Sequence, residues 1–476
     1  MLKTVSSCLV GCCQKRSISK PLYNKGMIKT GQNSAKSSSS LWIKALLIAL
    51  SILILTGCEV FSFQIDLPWE NQTPQAPQET RVPNPEENGV VSPLPINPNP
   101  EGEPEKVSQL TLWLQPELDP NLNTPAGETL RARLDLFTRD NQVEVVTRVK
   151  ASEGVGGLID SLTSTHLAAP LSLPDLVMLD REQLLNAVEK DLVYSPTTLR
   201  SDLESSDWYP VGQSMVMIDG VSYGLPIGFD PLVMAYDSQT QIPPANLWSS
   251  IVTNPGRLGF PADDLEAKFM TLLYLSVGGR VEDDLQRPQL EIEPLTNALI
   301  LLDEAEAAKH ISTLSLDYET DQQVWEAFSA WNINKAIVPI SYVFAGLAGD
   351  QANQPKPALT MPEITLADGT LWAITRNEPE RMEMAQKLLE ALSEPSFLAK
   401  WSTDLHCVPA RSSAVTLLEY PTLKPFIEAI AVAATNYPDH AIVEKIGPVL
   451  HNAMRVVLQD SGDPAEVAAA AVESVR

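Results

Sequence analysis

The sequence predicts an α/β fold of mostly parallel sheets covered by helices, and three observations lead there. From residue 107 onward, short β-type runs alternate with helical stretches, the pattern of strands that return to one sheet through helical crossovers. That stretch runs about 370 residues to the C-terminus, enough for two ordinary lobes. It contains one cysteine, Cys407, so no internal disulfide is available and the fold must rest on its apolar core.

The first strand is expected over 110–114, Leu-Thr-Leu-Trp-Leu, and the helix after it is marked by Leu130, Leu134 and Phe137. A second β run covers 143–149. A glycine-opened helix over 156–164, a strand over 176–179 and a helix over 181–190 follow. Residues 215–218 and 221–225 flank Asp219-Gly220, a dipeptide suited to a tight hairpin turn. Phe269, Leu272, Leu273 and Leu275 mark a helix stopped by Gly278-Gly279; Leu295, Leu299 and Leu302 mark another, and Trp325 and Phe328 a third. Strands are expected again over 336–340 and 371–375, the second leading into a helix over 381–392. The last helix opens at Asp463-Pro464-Ala465-Glu466, with a cap, a proline in the first turn and an acid three residues on. Open parallel sheets bind ligands beyond the carboxyl ends of their strands, so the loops after Leu114 and Leu179 are expected to line any cleft.

The N-terminal part is of another kind. Residues 41–55 form an apolar run interrupted only by Lys44 and Ser51, too short for a comfortable membrane span, and it ends in Leu55-Thr56-Gly57-Cys58. A basic stretch, a short apolar core and small residues before a cleavage point make a secretory signal over 1–57. Leu-Thr-Gly-Cys resembles the lipobox of exported lipoproteins, which implies that Cys58 is acylated and becomes the mature N-terminus, anchored to the outer face of the cell membrane. Met27 would give a compact signal of normal layout and is the expected start. Between Pro68 and Pro104 there are ten prolines, so residues 58–106 read as an extended, disordered stalk.

Charge changes at the same boundary. Residues 1–57 carry eight Lys or Arg and no acid, leaving 26 basic against 60 acidic groups and a net charge of −34. Such a surface repels nucleic acid and anionic headgroups, which removes a nucleic-acid partner.

From 107 to 476 the sequence resembles the family 1 extracellular solute-binding proteins, the class that includes maltose-binding proteins. The resemblance rests on several stretches in family order: 110–113 as the opening strand, Pro174-Asp175-Leu176-Val177-Met178, Asp219-Gly220-Val221-Ser222-Tyr223-Gly224-Leu225-Pro226, Tyr236-Asp237-Ser238 and Gly278-Gly279. Asn334-Lys335-Ala336-Ile337-Val338, Trp372-Ala373-Ile374, Val408-Pro409-Ala410-Arg411 and the C-terminal helix follow. Asp237 and Asn334 depart from the family's usual residues and leave the subfamily open. The resemblance implies a two-lobe fold of the type II periplasmic-binding-protein kind, closing on a small solute by a multi-strand hinge. It implies three crossings, near 227–231, 358–363 and 406–411, with lobe one over about 107–227 and 364–405 and lobe two over about 231–358 and 411–476. It further implies a monomer that delivers its solute to the permease subunits of an ABC importer and uses no cofactor.

A sugar cleft combines aromatic rings, on which C–H faces lie, with planar polar groups for the hydroxyls. The candidates are Trp113, Gln115, Asp180, Arg181, Asp230, Tyr342, Trp372 and Arg411. Trp113 and Trp372 either face a cleft or pack in the core, and Asp180 is also a natural helix N-cap. Asp230 is a crossing residue or a turn residue before Pro231. Tyr342 follows a strand where the family usually has a stacking aromatic, and Arg411 donates to hydroxyls or pairs with a carboxylate. The acidic surface would suit a cation, whereas Trp and Tyr at the candidate positions favour a sugar. The five histidines are scattered, no His-Glu-x-x-His or Gly-x-Ser-x-Gly is present, and Glu153-Gly154-Val155-Gly156-Gly157 lacks the Lys and Ser/Thr of a P-loop, so neither a metal site nor an enzyme is expected. A lipid-anchored carbohydrate hydrolase or lyase, or a receptor without a transport role, are the alternatives.

Overall fold

The computed structural model describes residues 106–476 apart from 197–198, 200–201, 240–250, 252–254, 349–354 and 361. The expected leader, the start at Met27, the lipid site at Cys58 and all of the stalk but its last residue lie outside the described residues.

Strand β1 (Gln109–Leu114) pairs in parallel with β2 (Glu144–Val149) across helix α1 (Pro125–Asn141). Thr124 caps α1 by accepting from the Gly127 N–H at 3.1 Å, and Leu130, Leu134 and Phe137 form its buried stripe. Helix α2 (Leu158–Ala168) leads to β3 (Leu176–Asp180), again parallel to β1, and β3 runs directly into α3 (Arg181–Glu189). The junction is a capping box: the Asp180 carboxylate accepts from the Gln183 N–H at 2.8 Å, while the Gln183 side chain accepts from the Asp180 N–H at 3.1 Å.

The expected hairpin is shorter than its apolar runs. Met215 and Val216 close helix α4 (Pro210–Val216), opened by a proline at its first turn, where they bury on one face with Val211 and Gly212. Only β4 (Met217–Ile218) and β5 (Val221–Ser222) remain to pair around Asp219 and Gly220. Both turn residues have positive φ, 49° and 76°, as the tight turn requires.

The next strand, β6 (Gly224–Asp237), joins the two halves of the molecule. After it come β7 (Leu258–Gly259), α5 (Lys268–Ser276), α6 (Ile292–Ala307), α7 (Asp321–Ser329), β8 (Lys335–Pro339), α8 (Ile340–Ala348) and β9 (Pro357–Leu359). The chain returns through β10 (Thr365–Ile374), α9 (Pro379–Leu392), α10 (Pro395–Asp404), β11 (Val408–Pro409), α11 (Ser412–Val415), α12 (Lys424–Ala433) and β12 (Ala434–Asn436). It ends in α13 (His440–Asp460) and α14 (Pro464–Val475), the last capped as expected by Asp463, which accepts from the N–H groups of Ala465 and Glu466.

One ten-stranded sheet runs through the whole body, seven strands in the order β2-β1-β3-β10-β6-β8-β7 and three off this path, β9 and β11 on β6 and β12 on β10. It is parallel at its ends, β1 with β2 and β3, and β7 with β8, and antiparallel in the middle, where β10 pairs with β3 and β6, and β6 with β8. The expectation of mostly parallel sheets thus holds away from the crossings. Strands that carry the chain out and back run in opposite senses, which makes the centre mixed.

Two apolar cores flank the sheet. The first gathers β1, β3, the middle of β10, α1, α3, α9 and α10, and also α7, α8 and α12; the second gathers α5, α6, α13 and α14. Strand alternation divides β6 and β8 between them: Val233, Ala235, Ala336 and Val338 join the first core, and Leu232, Met234 and Ile337 the second. β6 runs unbroken from Gly224 to Asp237 through the first expected crossing, and the chain returns along β10, whose first residues pair with β12. At the crossing expected over 406–411 the chain stays on the first core. There, β11 lies clamped on β6, Val408 opposite Phe229, and Ala414, Val415, Ile427, Ile430 and Ala431 bury in the first core. The apolar stripe of α12 lands on that side, so the chain leaves for the second core only after β12, at 434–439.

Candidate functional site

Between the two cores lies a cleft of about 470 Å³, a volume suited to a small organic molecule. Gln115, directly after β1, and Asp180, Arg181, Glu182 and Leu185 at the β3–α3 junction line it from one side. Glu266, Lys268 and Thr271 at the start of α5, with His440 and Val443 of α13, line it from the other. Its floor is made by the crossings: Phe229 and Asp230 of β6, residues 367–370 of β10, Cys407, and Asn436 to Asp439.

The sheet topology sets this arrangement. β1 and β3 end side by side, so their following residues open to the same edge. Asp368 lies opposite Asp230 in the β10–β6 pairing, which puts two carboxylates on adjacent strands of the floor. Gly228, next to them, leaves no room for a side chain: a Cβ there would meet the Cys407 sulfur at 2.8 Å and the Val408 carbonyl oxygen at 2.9 Å.

Asp230 accepts from the Ser341 N–H at 2.9 Å, at the amino end of α8, where the helix dipole favours a negative charge. Burial nevertheless dominates and, with Asp368 and Asp321 nearby, pushes its carboxyl up to about 7. Burial likewise pushes Asp180 up to about 6, against the stabilising Gln183 N–H, with Glu182, Asp368 and Glu153 adding to the rise. Asp321, at the start of α7, rises to about 6 for the same first cause, and Asp368 is raised as well. The Asp368 side chain reaches solvent through the open cleft while protein atoms surround it on its other sides.

Two cations line the cleft and both are engaged. Arg181 donates to the Ser214 carbonyl at 2.8 Å and lies 3.4 Å from Asp439, tying α3 to the third crossing. Lys268 lies 3.2 Å from Glu266, with its ammonium 5.7 Å from the centre of the Tyr437 ring.

The expected site residues therefore separate. Gln115, Asp180, Arg181 and Asp230 meet in the cleft. Trp113 and Trp372 do not: they are 2% and 0% exposed, on strands covered on both faces, with the Lys150 ammonium 4.7 Å from the Trp113 ring. Tyr342 is half-buried on α8, its ring 6.2 Å from that of Trp325, and is not among the residues lining the cleft. Arg411 donates to Asp207 at 2.7 Å and to the Ser393 carbonyl at 2.8 Å, and its guanidinium lies 5.0 Å from the Trp208 ring centre, in a separate surface depression. Burial raises the Asp207 carboxyl, but the bonds from Ser413, Arg411 and Ser412 outweigh it and hold it at about 2. Among the described residues no group of His, Cys, Asp and Glu is arranged to hold a metal ion.

The model of the bacterial extracellular solute-binding protein family matches residues 132–429, well over half of the chain. The chain belongs to this family. A comparison with curated protein sequences finds no match. Among solved structures, this solute-binding protein is similar to an extracellular solute-binding protein from Staphylococcus aureus in complex with maltose, with a TM-score of 0.61 and 14% identity over 78% of this chain and 98% of that one. It is similar to a cyclic α-maltosyl-1,6-maltose binding protein from Arthrobacter globiformis, with a TM-score of 0.59 and 15% identity over 78% and 98%. It is also similar to maltose-bound MalE3 of T. maritima, with a TM-score of 0.55 and 16% identity over 77% and 98%. The fold is thus the two-lobe arrangement of type II periplasmic binding proteins, and the cleft lies between the lobes.

Sequence reasoning missed Glu182, Glu266, Lys268, Thr271, Tyr437 and Asp439. The run Tyr437-Pro438-Asp439-His440 carries a readable helix start, but its return to the cleft depends on the path of the third crossing.

Proposed function

We propose that this solute-binding protein captures a small solute of the sugar or oligosaccharide class between its lobes, without chemistry, and delivers it to the permease subunits of an ABC importer while held on the outer membrane face by a lipid on Cys58. The observation that carries the reading is a cleft lined from both lobes and floored by the crossings, the arrangement in which closure about a hinge surrounds a ligand. Gln115, Thr271, Thr370 and Asn436 supply neutral hydrogen-bonding groups and Tyr437 a ring, as a sugar requires. Maltose in two similar structures supports the same class. The Leu-Thr-Gly-Cys sequence supports the anchor.

A thermal-shift panel of maltodextrins, other oligosaccharides and amines on the purified protein tests capture, because a ligand that binds only the folded state raises the midpoint by mass action. The reading expects a concentration-dependent rise for at least one compound, and a flat panel would count against it. For the anchor, Cys58→Ala is expected to move the protein from the membrane fraction to the soluble one; an unchanged distribution would remove Cys58 as the lipid site.

A further inference from the structure

The cleft is lined by six carboxylates, on Asp180, Glu182, Asp230, Glu266, Asp368 and Asp439, against the two cations Arg181 and Lys268. Each cation already has a carboxylate partner, Arg181 with Asp439 and Lys268 with Glu266. No ion pair among the described residues includes Asp180, Glu182, Asp230 or Asp368. Asp230 is set into the floor, its carboxylate accepting from the Ser341 N–H of α8. Of the rings expected to stack on a neutral sugar, Trp113 and Trp372 are in the core and Tyr342 is not among the lining residues, which leaves Tyr437, already beside the Lys268 ammonium. The carboxylates are also too dispersed to enclose one metal ion. Positive charge spread over an organic skeleton answers all of these features.

We propose that the solute of this cleft is an organic cation, a small molecule with at least one protonated amine held between Asp230 and Asp368 on the floor and Asp180 on the wall. The proposal rests on the interlobe reading above and puts a cationic solute, amino sugar or amine, in place of a neutral sugar. Amino sugars and linear polyamines share this chemistry, and hydrogen-bonding groups such as Gln115 and Asn436 would serve either one.

The environment of Asp230 gives the proposal a pH signature. Facing it are Asp368 from β10, Asp321 from α7, Tyr342 from α8, Tyr437 from the third crossing, and Cys407, whose thiol burial pushes up to about 12. None of these supplies a positive charge. Lys268, the nearby ammonium, acts on Asp368 and Asp321. With Asp230 at about 7 and Asp180 at about 6, lowering the pH protonates the acceptors and removes the charge that a bound amine would meet, while a bound amine pulls both carboxyls back down. Amine affinity must therefore rise with pH through this window.

The test is calorimetric titration of the purified protein with four probes: glucosamine trimer, its fully N-acetylated counterpart, spermidine and maltotriose. The expected result is binding of glucosamine trimer or spermidine, with at least tenfold weaker binding of both neutral sugars. If spermidine is the amine that binds, its affinity rises severalfold from pH 5 to pH 7.5, because its amines stay protonated over that range. Asp368→Asn, at a position open to solvent, is expected to weaken the amine at least tenfold. Asp230→Asn, which keeps an acceptor for the Ser341 N–H, serves as the second variant, and a thermal midpoint near wild type shows that each is folded. Binding of the neutral sugars as tight as that of the amines, or amine binding unchanged in both folded variants, overturns the proposal. Binding of maltotriose alone overturns the cationic class and leaves solute capture standing. No binding of any probe overturns the cationic class, and a flat oligosaccharide panel as well would remove the interlobe reading too.

Discussion

Asp175 is fully buried and joins three elements through one carboxylate. It accepts from the Thr111 N–H of β1 at 2.7 Å and from two guanidinium nitrogens of Arg381 on α9, both at 2.7 Å, immediately before β3. A buried acid paired in this way is costly to break, because its removal leaves the arginine and the strand N–H without the partner that offset their desolvation. Asp175→Ala is expected to lower unfolding free energy by about 3 kcal/mol, measured by denaturant titration, and a loss below about 1 kcal/mol would contradict this role. Other residues were less legible. Asp180 was readable as a cap, and it is one while also lining the cleft, since a strand that ends at a helix start exposes the same residue to both tasks. Trp113 and Trp372 looked like ligand contacts only because indole suits either a sugar face or a core, and which face of a strand is solvated depends on what packs over it.

At the level of elements, sequence periodicity located most strands and helices to within a few residues. β3, α9 and α14 follow from an apolar strand run, a helical stripe and a cap with proline. Periodicity marked no element at β6, α8, α10 or α12, and two others depart from it for physical reasons. Met215 and Val216 belong to α4, since a proline at the helix start and burial on one face outweigh the β preference of a short apolar run. β10 begins at Thr365, well before the apolar stretch over 371–375, because Asp368 and Gly369 sit in the crossing, where backbone pairing with β6 holds the strand and polar residues face the cleft. The clamp of β11 on β6 depends on Gly228, a close approach that no periodicity reveals.

For the whole molecule, the two-lobe fold could be read from the order of elements, whereas the path of the chain over 411–439 could not. The family resemblance implies a crossing over 406–411, while the apolar stripe of α12 keeps the following residues on the first core and the chain passes to the second core at 434–439. That path brings Tyr437 and Asp439 into the cleft and closes its floor from a third side. The resulting site is acidic, formed by all three crossings and faced by both lobes, so a guest held there contacts both halves and favours the closed form through those differential contacts. The most direct measurement is calorimetric titration of wild-type protein and Asp368→Arg with the compound that gives the largest thermal shift. Micromolar binding to wild type, about −8 kcal/mol, and its loss in the folded variant is the predicted result. Equal binding by both would place the guest outside the interlobe cleft and contradict the account.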